Sequence, residues 1–441
     1  MIRLSEHFTY KKLFLFTFPT IIMMIFSSIY GVVDGFFVSN YAGKVSFAAV
    51  NLIMPFLIIL GAVGFMFGAG GSALVGKTLG EGNKEKANRR FSLIVYTSII
   101  TGLVLTVFGI AFLRPVARFL GAEGIMLEHC VLYGRIILFA LPAFLLQMEF
   151  QSFFITAEKP QWGLIVTVAA GVINIVLDFL LVGVFKLGLA GAAAATAISQ
   201  VAGGIIPLIY FMCPNSSVLR LTKTSFDSKV LIKTCTNGMS ELLGNISMSV
   251  VSMLYNIQLL KYAGEDGIAS YGVLMYVGMI FCGVSLGYAV GVSPVISFHF
   301  GAKNYDELKN LRKRSFNIIA ISSVIMVVLA LVLAYPLSKL FVGYDENLFA
   351  MSHRAFKFYS FSFLFSGFAI FGSAFFTALN DGVTSAIISF LRTIVFQIAA
   401  VMLMPIWLEI DGIWLSLVVV EVAAATLSIS CVAIKKKKYH Y

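Results

Sequence analysis

Four polar residues stand where polar groups are costly. Asp34 lies in IYGVVDGFFVSN, Asn174 and Asp178 in VINIVLDFLLV, and Thr196 in GAAAATAIS, stretches that are otherwise almost wholly apolar. Asn174 and Asp178 are four residues apart, so a helix stacks them on one face. An ionisable group at membrane depth costs on the order of a few kcal/mol and marks a functional candidate by default. Together the four supply two carboxylates, an amide and a hydroxyl. That all-oxygen set suits a hard monovalent cation such as Na+. Two close carboxylates also repel when both are charged, so a proton held between them is the other occupant. The alternative is four unrelated groups, each snorkelling or bonded to backbone.

The elements that position these residues follow from composition. The chain has 441 residues, 59% hydrophobic and 12% charged, with mean hydropathy +0.94. Soluble domains carry about 25% charged residues, so no water-facing surface of ordinary kind can be built here. Twelve apolar stretches, from 13–39 to 411–434, are each long enough to cross a bilayer. The expected fold is an all-α polytopic membrane protein. The net charge of +11 comes from residues placed mainly in alternate loops and at both ends, including Lys84 to Arg90, Lys309 to Arg314 and Lys435 to Lys438. That bias puts both termini in the cytoplasm and assigns the charge to topology and lipid headgroups rather than nucleic acid. The first apolar run is too long for a cleavable signal and lacks its cleavage site. The five cysteines (Cys130, Cys213, Cys235, Cys282 and Cys431) are scattered, with no metal spacing.

The chain also repeats. Shifted by 221 residues, Tyr41-Ala42-Gly43 falls on Tyr262-Ala263-Gly264, Gly70 on Gly291, Gly80 on Gly301, Asn83 on Asn304, and Phe154-Ile155-Thr156-Ala157 on Phe375-Phe376-Thr377-Ala378. Residues 1–212 form an N-lobe of six spans, 213–230 a polar and basic cytoplasmic linker, and 231–441 a C-lobe of six. Six is even, so both lobes enter the membrane in the same sense. A pseudo-two-fold along the membrane normal relates them and leaves a cleft between.

Counted from the outer ends of their spans, Asp34, Asp178 and Thr196 lie five, seven and eight residues in. They therefore reach similar depth at 1.5 Å per residue. None of the acids repeats, since Asp34 falls on Tyr255, Asn174 on Val395 and Asp178 on Ala399. The C-lobe has Glu241, Arg392 and Glu421 instead. Glu241 and Arg392 lie equally far from the cytoplasmic face, and a structural ion pair between them is expected. Glu149, flanked by Gln147 and Gln151 in span four, either faces the cleft or pairs within its lobe. GSALVGKT (71–78) matches the phosphate-loop pattern, but that loop needs a strand before it. Here a membrane helix precedes it, so Lys77 reads as a helix end and ATP is not an expected partner. The basic stretches 80–90 and 301–314 read as short interfacial helices.

On VVDGFFV with its Asp, NIVLD, GAAAATAIS and the six-plus-six arrangement, the chain resembles the multidrug and toxic-compound extrusion (MATE) transporters. Their superfamily also holds lipid-linked oligosaccharide flippases. The resemblance implies a first-lobe cation site at Asp34, Asn174, Asp178 and Thr196. It departs in span ten, which has no acid, and Glu241 matches the second-lobe acid of span seven only loosely. The implied function is secondary antiport, exporting amphipathic organic cations in exchange for Na+ or H+. Tyr30, Phe37, Met54, Gln147 and Glu149 are candidate cleft residues, and Pro19 a bending point of span one. A precursor flippase is the rival reading, and it calls for a strongly basic cavity. No enzyme activity or cofactor is expected. The expected partners are a small-molecule substrate and membrane lipids, with the chain acting as a monomer in a bacterial-type cytoplasmic membrane.

Overall fold

The computed structural model describes residues 2–41, 44–343 and 345–441, and among these there are helices and no strand. Ala42 and Gly43, which take part in the repeat, lie outside the described residues. The first six helices are α1 (Tyr10–Tyr41), α2 (Lys44–Gly80), α3 (Lys84–Phe119), α4 (Gly124–Thr156), α5 (Pro160–Leu177) and α6 (Gly188–Met212). After residues 213–227 come α7 (Ser228–Gly264), α8 (Asp266–Gly301) and α9 (Tyr305–Val342). The tenth span, α10, is broken into Glu346–Ser360 and Phe363–Ala378, bent by 49°. Gly382–Tyr439 turns at Glu409 (φ 50°, ψ −130°) and so makes two spans, α11 and α12. The described residues thus form twelve spans.

One expectation is corrected. The basic stretches at 80–90 and 301–314 are not separate interfacial helices. Asn83 and Asn304 cap α3 and α9 by accepting from Lys86 N and Glu307 N, and nothing after these caps breaks the helix. The basic residues are therefore the first turns of spanning helices. The first piece of α10, Glu346–Ser360, is amphipathic: it buries Leu348, Ala355 and Phe356 and leaves Arg354 and Lys357 outside. GSALVGKT lies wholly inside α2, so no phosphate-cradling loop forms there.

The 221-residue repeat is visible in three dimensions. Left-handed residues occupy matching turns, Gly82 with Lys303 and Gly188 with Glu409. The contacts between lobes come in symmetric pairs. Gly291 of α8 packs on Thr17 of α1, and the same contact recurs between Gly70 of α2 and Gly238 of α7. Gly80 packs under the Phe298 carbonyl while Gly301 packs under that of Lys77. Gly76 meets Ser297, its own repeat partner, so the pseudo-two-fold axis runs between α2 and α8 there. At each of these positions the absent side chain is what lets backbones touch.

The close approaches cluster at one end of the bundle. Both termini gather there too: Leu4 N donates to Glu158 in the α4–α5 turn, and Lys435 and Tyr439 to Asp381 in the α10–α11 turn. Burial pushes the Asp381 carboxyl up, but the Lys435, Tyr439 and Thr384 donors outweigh it and bring it down to about 2. Along α1 and α8 the seam continues through Ile21–Gly287 and Ile25–Gly283 to a hydrogen bond from Ser28 Oγ to Met279 O at 3.3 Å. Beyond it, Gly31 has nothing within 4 Å of where a Cβ would stand. The close contacts between the lobes thus lie at the basic end and along α1 as far as Ser28.

Candidate functional site

The first-lobe site is assembled by three helices. The second half of α1 carries Asp34, and α6 carries Thr196, whose hydroxyl donates to Asp34 Oδ1 at 3.3 Å and to Ala192 O at 3.1 Å. α5 carries Asn174 and Asp178, and Asp178 begins a π-helical segment, Asp178–Val184. Such widened turns are rare and often mark functional positions. Asn174 and Asp178 are 1% and 0% exposed. Both face Asp34, yet neither Asp178 carboxylate oxygen nor either polar atom of the Asn174 amide has a hydrogen-bond partner in the protein. Buried polar atoms are nearly always satisfied, so these atoms are candidate ligands.

Tyr30 lies one turn before Asp34 on α1, and Tyr133 of α4 is buried within interaction range of Asp34, Asp178 and Thr196. Tyr133 escaped the sequence reading, because a tyrosine in an apolar span is indistinguishable from packing until its neighbours are known. The pseudo-equivalent of Asp34 in the C-lobe is Tyr255. Its hydroxyl donates to Gln397 Oε1 at 2.9 Å and lies 2.8 Å from Ser416 Oγ. The C-lobe counterpart is a neutral, internally satisfied network, whereas the N-lobe position is acidic and open-valenced.

The candidate cleft residues are dispersed. Tyr30 and Phe37 are half-buried on α1 near Asp34, and Met54 packs in the apolar cluster between α2, α4 and α6. Gln147 presses on Gly203 of α6 inside the N-lobe. Glu149 is fully buried, close to Ser98 of α3, and neither of its oxygens has a hydrogen-bond partner. These two therefore lie inside the lobe, and neither opens on the space between lobes.

The ion pair expected between Glu241 and Arg392 is replaced. Arg392 donates from Nη2 to Glu421 Oε1 at 2.8 Å and from Nε to Oε2 at 3.1 Å. It sits in a π-helical stretch of α11, Leu391–Phe396, and the widened turn directs it to α12. Glu241 remains within electrostatic reach on α7. Depth alone matched Arg392 with the wrong acid, because equal depth does not specify which helix face is shared. Glu421→Gln, which strands the guanidinium, is expected to destabilise the protein by about 3 kcal/mol. Thermal unfolding in detergent checks this, with Arg392→Met/Glu421→Met recovering most of the loss.

The MatE family profile matches residues 19–180 and again 242–403, one copy in each half. The chain belongs to the MatE family. This MATE-family transporter is similar along nearly its whole length to the multidrug export protein MepA of Staphylococcus saprophyticus, 25% identical over 417 residues that cover 94% of this chain and 92% of the relative. MepA of Staphylococcus aureus strain MRSA252 is 26% identical over 416 residues, covering 93% and 91%. Among solved structures, the outward-facing conformation of a multidrug resistance MATE family transporter superposes with a TM-score of 0.92 at 22% identity, covering 98% of this chain and 97% of that one. That likeness carries the fold, twelve helices in two lobes, and the family match with the MepA relatives makes the chain a multi-pass protein of the bacterial cell membrane.

Proposed function

We propose that this MATE-family transporter is a cation-coupled antiporter that exports amphipathic organic cations by alternating access. The observation that carries the reading is the convergence of Asp34, Asn174, Asp178 and Thr196, with the Asp178 and Asn174 polar atoms buried and unpartnered. Na+ or H+ fits that oxygen set, and either offsets one of two negative charges that nothing basic among the described residues pairs with. The concentration of Lys and Arg at the end holding the termini favours a cytoplasmic place for that end, and the seam between the lobes is then closed on the inside.

In the cycle, a cation entering from outside binds between Asp34 and Asp178 and favours release of the exported compound. The lobes then rock about the seam of α1, α2, α7 and α8, the cation leaves inward, and the compound is loaded from the cytoplasm or inner leaflet. α1 couples the two events mechanically, since its first half packs on α8 of the C-lobe at Thr17 and Ile21 while its second half carries Asp34. Similarity to MepA supports drug-like substrates. A flippase of phosphate-bearing lipids would need free positive charge in the cavity, and Arg392 is neutralised by Glu421.

Purified protein in liposomes loaded with ethidium tests the proposal. Export against the ethidium gradient is expected when a Na+ gradient or a pH gradient is imposed, and the gradient that suffices identifies the coupling ion. Ethidium movement indifferent to both gradients would overturn the antiport reading.

A further inference from the structure

The segment ahead of α1 is a built element. Leu4 and Phe8 are 1% and 0% exposed, and the Phe8 ring packs edge-on against Phe16 and His299. Its hydrogen bonds reach both lobes. Leu4 N donates to Glu158 Oε1 of the N-lobe at 2.8 Å. On the C-lobe side, Phe8 N donates to Glu307 Oε1 at 2.9 Å and His7 Nδ1 lies 2.6 Å from Glu307 Oε2. Asn310 Nδ2 donates to Phe8 O at 3.1 Å and to Glu307 Oε1 at 2.8 Å. One turn on, Asn317 Nδ2 donates to Tyr10 OH at 2.8 Å and the Arg314 guanidinium stands 4.6 Å from the Tyr10 ring centre.

Positions 307, 310, 314 and 317 advance by three, four and three residues, which is one face of a helix. α9 therefore presents a polar rail on which the N-terminal segment lies. The pseudo-symmetric helix, α3, carries the linker in the same way: Arg220 N donates to Asn88 Oδ1 at 3.0 Å and Thr222 N to Ser92 Oγ at 2.8 Å. Two differences matter. The linker leaves α6 and lies on a helix of its own lobe, whereas the N-terminal segment ties the C-lobe helix α9 to the N-lobe turn at Glu158. The linker bonds to α3 are made to an amide and a hydroxyl, while the N-terminal clasp centres on the carboxylate of Glu307, which is 6% exposed and takes three donors.

We propose that Glu307 is a positioning residue of the transport cycle: it fastens the N-terminal segment to α9, holds the lobes together at the basic end, and must let go each time they part there. The proposal rests on the alternating-access reading above. The rail is what a closed gate needs, because it adds charge-assisted hydrogen bonds to a seam of close glycine contacts, the bond from Asn380 Nδ2 to Ala73 O and the Lys77 ammonium over the Phe300 ring. Release leaves the Phe8 amide and the Glu307 carboxylate free to be hydrated at the membrane surface.

The test uses full-length protein in lipid nanodiscs, with spin labels on cysteines replacing exposed Lys84 and Lys309 at the starts of α3 and α9. Distances between them report the open and closed populations of the basic end. Glu307→Ala is expected to raise the open-to-closed ratio about tenfold or more, the equivalent of one charged hydrogen bond. Asn310→Ala with His7→Ala, which leaves the buried carboxylate in place, shifts it in the same direction by less. Should Glu307→Ala not fold, the double variant decides. A purely structural role would lower the melting temperature and leave the ratio unmoved, and that result overturns the proposal while wild type still shows two populations. A single population in wild type at every pH and Na+ concentration tried would overturn alternating access, and the clasp with it.

Discussion

Asparagine in place of Asp34 or Asp178 is expected to abolish uphill export while leaving the protein folded in the membrane. The substitution keeps size and hydrogen-bonding capacity and removes only the charge, and neither aspartate is held in an ion pair whose partner would be stranded. Folding therefore has little to lose. Coupling has much to lose, because the energy of export comes from cation movement: about 2.3 kcal/mol per charge for each 100 mV and about 1.4 kcal/mol for each tenfold concentration ratio. A site without its carboxylate pair captures neither. Ethidium accumulation by vesicles is expected to fall to the ungated background in both variants, with unchanged migration on size exclusion. Thr196→Ala, which removes a single 3.3 Å hydrogen bond to Asp34, is expected to weaken coupling without eliminating it. Full efflux by both aspartate variants would remove the site from the mechanism.

The second large effect is steric. A Cβ on Gly80 would overlap the Phe298 carbonyl, and one on Gly301 would overlap that of Lys77. Both obstacles are backbone, so no rotamer change relieves them. Gly80→Val is expected to pry α2 from α8 on the pseudo-two-fold axis, costing roughly 1–3 kcal/mol or more in the state closed at the basic end. Export stops because one of the two end states is no longer accessible. A thiol introduced on the seam, at Ser297, should then become reactive to a membrane-impermeant reagent from the cytoplasmic side. Gly31→Ala is the control, since nothing stands within 4 Å of that position, and it is expected to transport normally. If Gly80→Val exports like wild type, the lobes do not close on this seam.

These two predictions draw on information of different kinds. Asp34, Asn174, Asp178 and Thr196 were legible as a group because a polar residue in lipid has so few uses, and depth follows directly from counting along a helix. The twelve crossings were legible for the same reason: hydrophobicity over about 20 residues leaves few alternatives. The repeat was legible because Gly70, Gly80 and Asn83 recur in one ungapped register at Gly291, Gly301 and Asn304, where close helix contact and helix capping call for those residue types. The partner of Arg392 was not. Arg392 lies in a π-helical turn of α11 and pairs with Glu421 rather than Glu241, and no periodicity in the sequence announces either. The burial of Gln147 and Glu149 inside the N-lobe was hidden likewise, since spacing assigns a face to a residue without saying which neighbour that face meets.

The sequence by itself determined the solvent each residue lives in, the number of crossings, the sidedness of charge and the doubling of the chain, because each is a property of local composition summed along one dimension. Only the tertiary structure decided which polar groups satisfy one another and which remain open. It left Asp178 and Asn174 without partners, closed the equivalent C-lobe position with Tyr255, Gln397 and Ser416, and laid residues far apart in the chain, His7 and Glu307, against each other. Those outcomes depend on helix rotation and packing at the level of a single hydrogen bond, a precision that emerges when twelve helices must fill space together.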